Sequence, residues 1–160
     1  MERIFDLFEA LPPEIAAFVI SMLPITEVRG GLIFSAVMNL PFLQAFLICL
    51  AGNILPVPLI LFFLRKILRL MDRNKHTAKL VHWLEGKARK AEKKIHTYEL
   101  FGLFVLVAIP LPGTGAWTGS LVAVIFDIQI KRAFPTIALG VLTAALIMSL
   151  ISYFIPGLFF

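Results

Sequence analysis

Charge is what this chain has least of. Only 16% of its 160 residues are Asp, Glu, Lys or Arg, against 59% hydrophobic, too little polar surface for an ordinary soluble domain of this length. Cys49 is the single cysteine, which excludes an internal disulfide and leaves the redox compartment unread. The opening stretch MERIFDLFEALPP places Glu2, Asp6 and Glu9 where a secretory signal would be basic, and no small-residue cleavage pattern follows. The N-terminal segment is therefore expected to be retained. His76, His82 and His96 have no Cys or carboxylate at metal-ligand spacing, so neither a metal nor another cofactor is expected. No nucleophile, base and acid occur as a set, and the chain does not read as an enzyme.

What charge there is lies in one place. Eleven of the fifteen Lys and Arg fall between Arg65 and Tyr98, opposed there only by Asp72, Glu85 and Glu92. Basic residues gathered between apolar spans mark a cytoplasmic loop and a membrane surface, with no nucleic-acid partner implied. Within that loop Leu80, Leu84, Ala88, Ala91 and Ile95 recur at helical spacing. The stripe predicts an amphipathic helix lying on anionic lipid with Trp83 at the interface.

The apolar stretch from Ile15 to Val37 carries Pro24-Ile25-Thr26-Glu27-Val28-Arg29-Gly30-Gly31 at its centre. A charge at that depth costs from about 2.5 to more than 10 kcal/mol, depending on the scale. Pro24, Gly30 and Gly31 are expected to break the helix at the same residues. Ionisable groups at a broken helix are tolerated where the backbone lines a cavity, so the stretch reads as a binding site. A second break is expected from Pro110 and Pro112 through Gly113-Thr114-Gly115-Ala116-Trp117-Thr118 to Gly119. Pro41 to Leu64, after the first break, and Ala133 to Ile155, after the second, are long enough to span, with Asn53 and Gly52 inside the former.

Setting Gly31 on Gly119 aligns Asn39 with Asp127, Ala45 with Ala133, Phe46 with Phe134 and Gly52 with Gly140. Four parallel spans would put Lys131-Arg132 away from the cytoplasm. One re-entrant hairpin plus one span per copy puts them inside, inverts the copies and brings the two breaks together near the midplane. The expected fold is thus an all-α integral membrane protein of two inverted repeats in a single membrane domain. Residues 1–13 would form an interfacial helix, 14–64 and 99–160 the repeats and 65–98 the basic linker, with both termini outside a prokaryotic inner membrane.

Glu27 can take up a proton where it is desolvated, and the fork of Arg29 suits a phosphate or carboxylate. Thr26, Thr114, Thr118, Trp117 and Asn53 are further candidate contacts, and Gly113-Thr114-Gly115 offers a backbone nest for an anion. The alternative is that Glu27 and Arg29 pair with each other, or across a homodimer, and only hold the hairpin.

At Pro24 to Gly31 and Ile109 to Gly119 the chain resembles the small multidrug export family of short prokaryotic membrane proteins, grouped with the DedA/VTT superfamily. The resemblance implies two facing re-entrant hairpins and, for some DedA relatives, proton-linked movement of lipid-linked phosphates or lipid scrambling. It implies an acid in the first hairpin, which Glu27 matches with Arg29 beside it, and arginines around the second. Here the nearest is Arg132, after that hairpin. The expected function is a small proton-coupled transporter or flippase for an anionic, lipid-phosphate or drug-like substrate, with membrane lipids as partners. The competing classes are an assembly factor acting through the linker and a passive channel.

Overall fold

A computed structural model describes residues 11–72, His82, 98–111 and 113–155, and among them the chain is all helical. Helix α1 (Pro13–Met22) opens on a proline, tolerated there because the first N–H of a helix has no partner to lose. It stops at Leu23, which is extended at φ −72° and ψ 141° because Pro24 follows. Helix α2 (Glu27–Val37) begins after a four-residue break. Helix α5 (Glu99–Ala108) stops in the same way, at extended Ile109 before Pro110, and α6 (Ala116–Ile125) follows Gly115. At about 1.5 Å per residue none of these four crosses a ~30 Å hydrocarbon core.

Two longer helices can. Helices α3 (Phe42–Ile54) and α4 (Val57–Asp72) run end to end through helical Leu55, and α7 (Ile130–Ser149) continues into a π-helical turn, Leu150–Phe154. Phe42–Met71 and Ile130–Phe154 are each long and apolar enough to span a membrane. Leu43, Leu47, Leu59, Phe62, Phe63, Leu139 and Leu146 stand exposed along them, a coat that suits lipid.

Glycines set how closely the helices approach, the usual route to tight packing where lipid removes the hydrophobic drive. A Cβ on Gly52 would come within 2.6 Å of the Phe18 carbonyl oxygen, and one on Gly31 within 2.9 Å of Cys49 Sγ. In the other half, a Cβ on Gly140 would meet Val107 at 2.7 Å and the Phe104 carbonyl at 3.2 Å. Leu32, Leu61, Ile137, Val28, Val107 and Val141 fill the core around them.

Helices α2 and α6 end alike. Asn39 and Asp127 take φ of 57° and 51°. Leu40 N–H then reaches the Ser35 carbonyl at 3.0 Å, and Ile128 N–H the Ala123 carbonyl at 2.8 Å. These are left-handed caps with the long return bond of a Schellman motif.

Three expectations need correction. Gly30 and Gly31 lie inside α2 and break nothing, because the missing side chains are needed for contact with Thr26, Ser21 and Cys49. The second break closes at Gly115, so Trp117, Thr118 and Gly119 belong to α6, where Gly119 packs on Val107. The span leading into the basic linker does not stop at Arg65-Lys66; α4 runs on to Asp72 with basic residues on its exposed turns. Residues 1–10, most of the expected interfacial helix, lie outside the described residues, as do the linker stripe with Trp83, and Pro112.

Candidate functional site

The two breaks hold each other through the acid and the base of the first. Glu27 opens α2 in the left-handed region, at φ 51°, and is 3% exposed. Its Oε2 accepts from Ala116 N–H and its Oε1 from Trp117 N–H, both at 3.2 Å. These are free amides of the first turn of α6, so the carboxylate sits on the positive end of that helix. Hydrogen bonds to a charged group stabilise by about 1.5–3 kcal/mol each. The approach depends on Gly115, whose φ of +128° and bare Cα leave room that a Cβ would take from the carboxylate.

Arg29 goes to the opposite helix end. Its Nη1 donates to the Leu111 carbonyl, and its Nη2 to Thr114 Oγ1 at 2.8 Å, the Thr114 carbonyl at 3.1 Å and the Ile109 carbonyl at 3.3 Å. Ile109 caps α5, so the guanidinium meets the carbonyl-rich, negative end of that helix. Acid and base thus each match one dipole of the second break, and neither takes the other as its ion-pair partner. An ion pair does join Arg65 Nη1 to Asp127 Oδ1, at 3.6 Å.

The other predicted residues divide. Trp117 joins the site by donating Nε1–H to the Met22 carbonyl at 3.1 Å, an anchor on the last turn of α1. Thr114 joins through Arg29, and Oγ1 also lies 2.8 Å from the Ile109 and Leu111 carbonyls. Thr26 and Thr118 close their own turns, on the Ile20 and Gly113 carbonyls, with Gly113 at φ +84°. Pro24 and Pro110 lie in the breaks. Asn53 stands apart, 1% exposed, with no protein partner for either amide atom.

Two residues that the sequence reading passed over complete the pattern. Arg65 Nη2 donates to the Ile128 carbonyl, beside Asp127, and Tyr153 O–H donates to the Leu40 carbonyl at 3.2 Å. In the register that sets Gly31 on Gly119, Arg65 falls on Tyr153 and Leu40 on Ile128. Each side chain therefore closes the cap of the other half. The same register sets Arg29 on Trp117, and each of those donates to the last carbonyls of the other half's first short helix. It also sets Glu27 on Gly115. Extending the alignment beyond Gly52 and Gly140, and back past Gly31 and Gly119, shows these residues as equivalents, though not the backbone groups that they meet.

A family model described as "Putative small multi-drug export protein" matches residues 27–147. No curated protein and no solved structure matches the chain. The matched segment holds Glu27, Arg29 and the whole second break, and it is more than half of the sequence.

Proposed function

The chain belongs to the small multi-drug export family, and from that premise we propose that it is a small secondary transporter of a prokaryotic inner membrane. It carries an anionic substrate, a carboxylate or a lipid-linked phosphate, together with a proton at the contact between the two breaks. The fold is read as two inverted repeats, each a re-entrant hairpin and one span. Supporting this, equivalent residues make reciprocal contacts, Arg65 on Ile128 with Tyr153 on Leu40, and Glu27 lies against its own equivalent, Gly115. Reciprocity of that kind is what a two-fold axis produces. The basic linker lies in the cytoplasm and the far ends of the spans outside, by the positive-inside rule.

One observation carries the reading: the Glu27 carboxylate occupies a helix N-terminus, where anions bind. A proton placed on a Glu27 oxygen removes the charge that Ala116 and Trp117 N–H hold. The breaks then separate, and those amides together with Arg29 are free for the substrate anion. Loss of the proton lets Glu27 return and expel it. The helix ends serve as the two faces of one gate, in the manner of broken helices at a midplane site.

Purified protein in liposomes, loaded with a carboxylate or lipid-phosphate substrate, tests this under an imposed pH gradient. Flux should rise with the gradient in the wild type, and Glu27→Gln should abolish that dependence. Equal gradient-driven flux in Glu27→Gln would remove the carboxyl from the coupling step.

A further inference from the structure

The two caps match in backbone and differ in what covers them. At the end of α6, a cation is in place: the Arg65 guanidinium lies on the Ile128 carbonyl and beside Asp127. At the end of α2 the equivalent of Arg65 is Tyr153, which is shorter and uncharged, and beside it lies an open cavity of about 540 Å³. It is lined by Ala36, Val37, Asn39, Leu40, Phe42, Ser152 and Tyr153, none of them basic. Ser152 is 7% exposed and its Oγ has no protein partner. It belongs to the π-helical turn Leu150–Phe154, a distortion that recurs at functional sites.

We propose that this cavity is a binding site for an organic cation, an ammonium group carried on an apolar body, which takes the place that Arg65 fills at the matching cap. The carbonyl end of α2 supplies a negative dipole end. The rings of Phe42 and Tyr153, 5.6 Å apart and edge to face, supply quadrupole attraction for the charge and apolar contact for the body. Ser152 Oγ supplies an acceptor on the cavity wall. The volume is that of a site for a drug-sized molecule. The site is separate from Glu27 and does not depend on protonation there.

The test is binding of benzyltrimethylammonium to the full-length protein in a nonionic detergent, by calorimetry, beside its uncharged isostere neopentylbenzene. The cation should bind at least tenfold more tightly. Tyr153→Arg should reach the Leu40 carbonyl as Arg65 reaches Ile128, and abolish binding at an unchanged melting temperature. Phe42→Ile, the residue of the other half, should weaken binding about tenfold and serves if Tyr153→Arg does not fold. Short-chain phosphatidylethanolamine is then added as competitor: displacement assigns the site to a lipid headgroup, and no displacement to a soluble cation, either keeping the ammonium site. Equal affinity for cation and isostere, or wild-type affinity in the two variants, overturns it.

Discussion

The Glu27 carboxylate fills the space beside the Gly115 Cα in which any other residue would carry its Cβ. The two positions are equivalent in the register of the halves, so one half supplies the acid and the other the room for it. Neither change alone would give the contact. A second acid at Gly115 would oppose the first, and a second glycine at Glu27 would leave the α6 amides without their acceptor.

Gly115→Ala should therefore destabilise the protein by about 3–5 kcal/mol, part from forcing a Cβ onto φ +128° and part from evicting the carboxylate. In a Glu27→Gly background only the backbone strain, about 1–3 kcal/mol, should remain. Thermal melts of the two single variants and the double variant in detergent measure the coupling. Additive costs would show that the carboxylate and the glycine do not compete for the same space.

Arg29→Lys keeps the charge and loses the fork. The guanidinium reaches Ile109, Leu111 and Thr114 from two nitrogens held in one plane, a spread that a single ammonium lacks. The expected loss is about 1–3 kcal/mol for the acceptors left unpaired, with Arg29→Gln worse because it also removes the charge from the end of α5. A lysine variant as stable as wild type would reduce the arginine to a counter-charge.

How far the sequence foretold all this varies by residue. Pro24 and Pro110 placed both breaks, since each fixes the extended residue before it. Glu27 and Arg29 stood out because charge at such depth needs a partner, yet nothing in their spacing said that the partners would be backbone groups of the second break. Backbone partners leave no side-chain signature. Gly30, Gly31 and Gly119 were misread as breakers because glycine permits a turn and close packing equally, and only the neighbouring helix decides which. Arg65 reads in the sequence only as the first basic residue of the linker, because its acceptor, the Ile128 carbonyl, is distant in sequence and silent in it.

Glycine position should also separate packing from tolerance. A Cβ on Gly52 meets the backbone oxygen of Phe18 at 2.6 Å, which cannot move without shifting α1. A Cβ on Gly102 meets nothing within 4 Å. Gly52→Ala should cost about 2–4 kcal/mol, and Gly102→Ala should stabilise by up to about 1 kcal/mol through helix propensity alone. Parallel melting curves check both, and a neutral Gly52→Ala would mean that α1 and α3 are not held at this separation.

Asn53 is the sharpest contrast between stability and use. It is buried at mid-span with both amide atoms unpartnered, while its equivalent in the other half is Val141, buried to the same degree. An unpaired buried amide costs about 1–3 kcal/mol, so Asn53→Val should raise stability by that amount. A polar side chain retained at such cost inside a membrane points to a role in moving substrate. The same variant should therefore lose at least tenfold in liposome flux while melting higher than wild type. If flux holds while stability rises, Asn53 has no part in transport; if stability falls, the amide is not the unpaired group that sets this cost.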